Sequence, residues 1–174
     1  MSTREVYHNK WIRVREDLAE LPDGRTTIYG VCEMSHAVGV LPFIDDEHVV
    51  LVRQYRYVQK ENERWEMPTG GILKGEALTD AAQRELMEEI GYRAEQLELI
   101  NTHYTSKSVC DEAAHLFIGR RLTPAATPPD ETEFLQVATF PFTEVLRMVR
   151  QGEIRDSMTI IAVLFAQGSV ANPH

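Results

Sequence analysis

Alternation of apolar and polar residues predicts β-strands in the first third of the chain. Residues 11–15 alternate with a period of two, and a Pro-Asp-Gly turn at 22–24 predicts that residues 25–33 return as a second strand. These two strands form a predicted N-terminal pair. Two further strands are predicted at 37–43 and 48–56.

A helical period replaces this alternation after a glycine-rich stretch. Ala82, Leu86 and Ile90 recur every four residues and form one apolar stripe. We expect Thr79 to cap the N-terminus of this helix and Gly91 to end it, because a hydroxyl suits the first position and a glycine suits the residue after the last turn.

The remaining pattern is a set of strands followed by two helices, which predicts an α/β class sandwich with a mixed sheet. With 174 residues of uniform composition, we expect one domain over 1–174, with the strand pair in 1–35 and the core in 36–167. The predicted elements are strands at 97–104, 114–118 and 134–140, a proline-rich loop at 123–133, and helices at 143–150 and 157–166.

Charge and composition narrow the function classes. The chain has 18 Lys and Arg against 27 Asp and Glu, a net charge of −9, which argues against a protein that binds DNA. A phosphate-bearing ligand remains compatible with this charge if divalent cations lie between the protein and the phosphate.

No apolar run approaches the roughly 20 residues of a membrane span, and the N-terminus lacks a signal-peptide pattern, so we expect a cytoplasmic protein without membrane contact. Cys32 and Cys110 have no metal-binding spacing and are expected to be free thiols.

The predicted helix carries three glutamates close together on its surface. Glu85, Glu88 and Glu89 lie three or four residues apart or side by side, so their like charges repel. Two interpretations fit this spacing. One is a solvated acidic face, and the other is a site for a hard cation such as Mg²⁺, which prefers oxygen ligands.

The glycine-rich stretch favours the cation site. Gly70, five residues, Glu76, seven residues and then the run from Arg84 to Tyr92 fit the pattern GX5EX7REUXEEXGU at every fixed position. On this motif, residues 70–92, the chain resembles the Nudix hydrolases; Tyr92 is aromatic where the family usually has an aliphatic residue. Segments 52–56, 65–70, 21–24 and 151–157 are similar to the branch that cleaves ADP-ribose and other nucleoside diphosphate sugars.

This resemblance implies an α/β/α sandwich and a hydrolase with two or three Mg²⁺ or Mn²⁺ ions in each active site. It implies that Glu85, Glu89 and Glu88, together with the backbone carbonyl of Thr69, bind the metals, and that Arg84 orients the glutamates. The expected reaction is hydrolysis of the pyrophosphate bond in a nucleoside diphosphate sugar, with ADP-ribose giving AMP and ribose 5-phosphate. Divalent cations suit this reaction because they neutralise the diphosphate and lower the pKa of a bound water.

Six further residues are candidates for catalysis or substrate binding by position in the family. Glu133 is the preferred group to position the attacking water, with Glu131 as the alternative; both lie in an acidic loop that could equally be a solvated surface. Arg56 is expected to contact a substrate phosphate, and Glu66 a ribose or the box arginine, unless both are structural. Glu112 and Lys107 are the remaining substrate-binding candidates, in a loop that lacks the proline typical of the branch.

Two other functions stay open at this point. One is a Nudix hydrolase with another substrate, such as a 5′-capped RNA or a dinucleoside polyphosphate. The other is a module that binds a nucleotide without cleaving it, which the complete set of box glutamates disfavours. The resemblance also implies a homodimer formed through the N-terminal strands.

Overall fold

The computed structural model describes residues 2–62, 64–125 and 135–171. The strands, in chain order, are β1 (Thr3–His8), β2 (Ile12–Glu20), β3 (Thr26–Met34), β4 (Ala37–Pro42), β5 (His48–Arg53), β6 (Tyr55–Arg56), β7 (Glu61–Asn62), β8 (Thr69–Gly71), β9 (Tyr92–Tyr104), β10 (Ala113–Pro124) and β11 (Gln136–Pro141). The helices are α1 (Leu78–Ile90), α2 (Phe142–Arg150) and α3 (Ser157–Ala171).

The N-terminal strand pair is confirmed as β2 and β3, but it belongs to a three-stranded antiparallel sheet in the order β1-β2-β3. Strand β1 was not predicted. Every residue of β1 is exposed, so neither of its faces carries the apolar alternation that identifies a half-buried strand.

The central sheet has the order β8-β4-β10-β9 and is mixed, because β4 and β10 are parallel whereas the other two pairs are antiparallel. Strands β5 and β11 form a separate antiparallel pair. An isolated bridge between Phe43 and Val49 joins the ends of β4 and β5.

Helices cover both faces of these strands, which confirms the predicted α/β/α sandwich. Helix α1 packs its Leu86 against Val38, Val40 and Phe117 in one buried cluster. Helices α2 and α3 contribute to a second cluster, which contains the inward side chains of the opposite face, Leu41, Leu116 and Ile118 among them. Alternate residues of β4 and β10 therefore enter different cores, as the pleat of a strand requires.

The ends of several elements differ from the prediction. Strand β10 extends to Pro124, beyond the predicted end at 118 and into the predicted loop at 123–133, and β5 ends at Arg53 rather than at 56. Helix α1 begins at Leu78 after an extended Ala77 that makes no side-chain cap bond, so Thr79 is not the cap. Gly91 ends the helix as predicted, in the left-handed region with φ of 70°. Strand β9 begins at Tyr92 rather than at residue 97. The prediction missed its first residues because only the small Ala94 is buried among them, so the apolar pattern there is weak. Helix α3 continues to Ala171, beyond the predicted end at 166.

Within the described residues, no helix is both long enough and apolar enough to cross a membrane.

Candidate active site

The centre of the candidate site is the contact between β8 and α1. An ideal Cβ placed on Gly70 would lie 2.0 Å from the carboxylate carbon of Glu85, so a side chain at this position would displace that carboxylate. The backbone N–H of Thr69 donates to Oε2 of Glu89 at 3.3 Å. Glu85 and Glu89 are only 7% and 5% exposed. Two carboxylates of one helix face are therefore buried against the backbone of residues 69 and 70.

Arg84 connects this helix face to the glycine-rich segment of residues 68–76, called the glycine loop below. Its guanidinium donates to both carboxylate oxygens of Glu76, at 2.9 and 3.0 Å, and to the carbonyl of Gly71 at 2.8 Å. The same group reaches Oε1 of Glu85 at 2.5 Å and Oε2 of Glu88 at 3.1 Å. Arg84 thus holds the loop and two of the helix glutamates in one arrangement, and its orienting role stays a prediction.

Hydrogen bonds favour the charged forms of both Arg84 and Glu76. The hydrogen bond to Glu76, followed by those to the helix glutamates, raises the pKa of Arg84 above its ordinary value. The hydrogen bond from Arg84 lowers the pKa of Glu76, and the N–H of Leu73, which donates to the same carboxylate at 2.9 Å, acts in the same direction. The pair consequently stays ionised at neutral pH.

The donor set fits a hard cation. Glu85 and Glu89 offer carboxylate oxygens beside the Thr69 backbone, and the absence of a side chain at Gly70 provides the space. Among residues 2–62, 64–125 and 135–171, no group of three His, Cys, Asp or Glu side chains is arranged to hold a metal ion. Glu88, the third expected ligand, instead contacts Arg84. Mg²⁺ is usually bound by one or two carboxylates and completes its shell with waters and substrate phosphates, so two buried glutamates suffice for such a site.

Arg56 and Glu66 form an ion pair beside this centre. The guanidinium of Arg56 donates to Oε1 of Glu66 through Nε, at 3.0 Å, and through Nη2. Glu66 is 8% exposed, and burial raises the pKa of its carboxyl despite the neighbouring arginine. Since Glu66 lies three residues before Thr69, the pair adjoins the glycine loop. Glu66 therefore contacts Arg56 rather than the box arginine, Arg84.

Two residues that hold this segment were not identified from the sequence. Thr159, on α3, is completely buried and accepts the backbone N–H of Met67 at 3.0 Å. Asp156 accepts both the N–H and the hydroxyl of Thr159, at 2.7 and 2.6 Å. Asp156 lies just before an apolar run, which is an N-terminal capping pattern. This pattern could have indicated the bond from the N–H of Thr159 to Asp156.

The loop at 105–112, between β9 and β10, carries Lys107 and Glu112. Register places Ala114 of β10 beside Ala37 of β4, which pairs with Gly71 of β8, so this loop and the glycine loop lie at the same end of the central sheet. Glu112 accepts the hydroxyl of Thr105 at 2.6 Å. Lys107 is exposed. Both remain predictions as substrate contacts.

Glu133 and Glu131, the two candidates for positioning water, lie outside the described residues. The described chain resumes at residue 135, and β11 then pairs Gln136 with Arg53, whose guanidinium donates to the Gln136 side chain at 2.9 and 2.6 Å.

A buried pair of glutamates on a helix that follows a glycine loop, with an arginine joining them, matches the class of the Nudix hydrolases. The NUDIX domain model matches residues 35–159, and the nucleoside diphosphate sugar hydrolase N-terminal domain matches residues 1–32. The chain therefore belongs to the Nudix family and is a pyrophosphohydrolase of the group with this N-terminal domain.

The chain is also similar to individual proteins over nearly its whole length. The chain is 32% identical to the methanol dehydrogenase activator of Bacillus methanolicus over 176 residues, which span 100% of this chain and 95% of the relative. It is also 32% identical to the ADP-ribose pyrophosphatase of Bacillus subtilis, over 96% of this chain and 91% of that protein. A crystal structure of an ADP compounds hydrolase superposes with a TM-score of 0.86 at 23% identity, covering 98% of this chain and 92% of the other, and shows that the fold is shared.

Proposed function

We propose that this protein hydrolyses the pyrophosphate bond of a nucleoside diphosphate sugar in a Mg²⁺-dependent reaction, and that ADP-ribose is its substrate. The products are then AMP and ribose 5-phosphate. The observation that carries the proposal is the burial of Glu85 and Glu89 against Gly70 and Thr69. Support for the substrate class comes from the N-terminal domain match and from the pyrophosphatase of Bacillus subtilis.

The two buried glutamates, with the carbonyl of Thr69, are the proposed ligands of the metal. When bound, two or three Mg²⁺ or Mn²⁺ ions would neutralise the diphosphate and lower the pKa of an attacking water. Arg84 keeps the glutamates oriented through its bonds to Glu76 and Gly71. Glu88 is proposed to complete the ligand set once its contact with Arg84 loosens.

Substrate contacts are proposed on both sides of this centre. Arg56, fixed by Glu66, presents a cation to a substrate phosphate, while Lys107 and Glu112 reach the same end of the sheet from the loop at 105–112. Glu133 is proposed to position the water, with Glu131 as the alternative.

The test is a substrate panel with Mg²⁺ or Mn²⁺ in ¹⁸O-labelled water. ADP-ribose, GDP-mannose, a dinucleoside polyphosphate and a 5′-capped RNA are compared by kcat/KM, and mass spectrometry locates the labelled oxygen in the products. We expect ADP-ribose to be cleaved fastest and EDTA to abolish turnover. Faster cleavage of the capped RNA or the dinucleoside polyphosphate would contradict the substrate, and binding of ADP-ribose without release of AMP would contradict the reaction.

We also propose that the protein is a homodimer formed through its N-terminal sheet. Large apolar side chains are exposed on this sheet, including Trp11 at 68%, Ile28 at 67% and Val6 at 57%. Large exposed apolar patches are typical of protein interfaces, and these side chains all belong to the N-terminal sheet or to the turn between β1 and β2. Sedimentation velocity tests the proposal; a monomer at micromolar concentration would contradict it, and a dimer that dissociates in Trp11→Asp would support it.

A further inference from the structure

The two cysteines of the chain, far apart in sequence, lie side by side in the fold. Cys32 of β3 and Cys110 of the loop at 105–112 form an isolated parallel bridge. The N–H of Cys32 donates to the carbonyl of Val109 at 2.8 Å, and the N–H of Asp111 donates to the carbonyl of Cys32 at 3.3 Å. A side-chain bond strengthens the contact, since the N–H of Met34 donates to Oδ1 of Asp111 at 3.0 Å. This contact is where the N-terminal sheet meets the loop that carries Lys107 and Glu112.

The backbone arrangement suits a covalent link between the two side chains. Bridge partners on adjacent strands are about 4.8 Å apart, and their side chains leave the ladder on the same side. A disulfide joins residues whose Cα atoms are usually between about 4.4 and 6.8 Å apart. Both residues are half-buried free thiols. Their side chains also interact, because Cys32 is one of the groups that raise the pKa of Cys110.

The surroundings of Cys110 slow the oxidation of the pair. Burial is the main cause that raises the pKa of Cys110, and Cys32, Glu112 and Asp111 act in the same direction. The thiolate is the form that attacks a disulfide, so a raised pKa slows the reaction at neutral pH without altering its equilibrium direction.

We propose that Cys32 and Cys110 are a redox modification site, at which a small-molecule disulfide such as oxidised glutathione converts the two thiols into an intrachain disulfide. The thiolate of one cysteine attacks the oxidant, which forms a mixed disulfide and releases one glutathione thiolate. The second cysteine, as its thiolate, then attacks the protein sulfur of that mixed disulfide and releases the other glutathione. The two cysteines lose two electrons and two protons, and the oxidant becomes two molecules of reduced glutathione.

The disulfide ties the loop at 105–112 to β3. The bonds from Cys32 to Val109 and from Met34 to Asp111 already hold the two segments together. The folded chain therefore forms the disulfide more readily than the unfolded chain, because the two thiols are already adjacent. The consequence is a thermodynamic coupling: the disulfide stabilises the fold by the same factor by which folding favours the disulfide.

The test uses the purified full chain in buffers with graded ratios of oxidised to reduced glutathione. Peptide mapping without reduction identifies the link, and alkylation followed by mass spectrometry counts free thiols. We expect a Cys32–Cys110 link in the folded chain, with an equilibrium constant about 30-fold or more above that of the chain unfolded in urea. We also expect the oxidised protein to melt about 5 °C or more above the reduced protein.

Cys32→Ser and Cys110→Ser are matched controls, each of which can form only a mixed disulfide and should show no rise in Tm on oxidation. Two separate glutathione adducts on the wild-type chain, links between chains, or equal constants for folded and unfolded protein would each overturn the proposal. None of these measurements depends on hydrolysis of ADP-ribose, so the outcome is independent of the proposed function.

Discussion

Two arginines of this protein are each surrounded by carboxylates, and only one belongs to the candidate active site. Arg84 contacts Glu76, Glu85 and Glu88. Arg147, on α2, donates to both oxygens of Glu144 at 2.8 and 2.6 Å and to Glu153 at 2.7 Å. Adjacent carboxylates raise the pKa of both arginines.

The two arginine clusters differ in their exposure to water and in the groups that they contact. The side chain of Arg84 is 23% exposed and also bonds the backbone of Gly71, whereas that of Arg147 is 40% exposed and bonds the side chain of Gln151 in addition to its glutamates. Glu85 is buried against a glycine of another element, whereas Glu144 is itself about 41% exposed. Exposed ion pairs are screened by salt and contribute little to the free energy of folding. A charge cluster therefore indicates a functional site when it is buried and a second element of the fold fixes it.

The largest expected effect is the loss of a buried glutamate. Glu89→Gln removes one of the two proposed metal-binding charges, so we expect kcat for ADP-ribose to fall by about 10³-fold with little change in Tm. Glu144→Gln, the matched change in the other cluster, should leave kcat within about twofold of wild type. Steady-state kinetics and circular dichroism check both, and near-normal activity of Glu89→Gln would remove the distinction between the clusters.

Replacing the two arginines compares the clusters directly. Arg84→Ala frees the glycine loop from the helix and allows Glu85 to move, so we expect kcat to fall by about 10²-fold, as for other displacements of reacting groups. Arg147→Ala should change Tm by no more than a few degrees and leave kcat unchanged. Equal losses of activity in the two variants would show that Arg84 has only a structural part.

Adjacent glycines provide a steric version of the same comparison. In Gly70→Ala the added methyl group would overlap the Glu85 carboxylate, whereas in Gly71→Ala it would lie 3.9 Å from the nearest atom, the Cβ of Ser35. Because the displaced group is the flexible end of a side chain, we expect Gly70→Ala to lower kcat about tenfold while Tm falls little. Gly71→Ala should resemble wild type in both measurements, and a similar loss of activity there would contradict the assignment of the space beside Gly70.

The smallest expected effect concerns a third pair, Arg56 with Glu66. Burial raises the pKa of Glu66 above the 4.5 of a free glutamate, so the unfolded chain loses this proton at a lower pH than the folded chain. The stability that this group contributes is complete below pH 4.5 and is lost as the pH rises through the raised pKa. Relative to Glu66→Gln, wild type should therefore lose about 1–3 °C of Tm between acid and neutral pH. A constant difference across that range would contradict it.

The parts of the fold that depend on local pattern were predictable, and those that depend on distant partners were not. The stripe of Ala82, Leu86 and Ile90, with Gly91 after it, located helix α1 and its end, whereas the predicted cap at Thr79 lies two residues after the observed cap, Ala77. Strand β1 was missed because its partner, β2, supplies its hydrogen bonds while its side chains remain in water.

The candidate site shows the same division. Spacing on one helix predicted that Glu85 and Glu89 would share a face, and the structure adds that this face lies over Gly70. The bonds from Arg84 to Gly71 and from Met67 to Thr159, and the bridge between Cys32 and Cys110, join residues far apart in sequence. Such contacts follow from the packing of elements, which no local periodicity encodes.

The bond between Met67 and Thr159 makes one amide a reporter of a particular motion. Met67 is completely buried, and its N–H is held by a hydroxyl of α3 rather than by a neighbouring strand. Deuterium can reach this amide when α3 lifts from the segment before the glycine loop, and the sheet hydrogen bonds can all remain closed during that event. The exchange rate of the Met67 amide therefore measures how often the C-terminal helix undocks from the segment that leads into the candidate site.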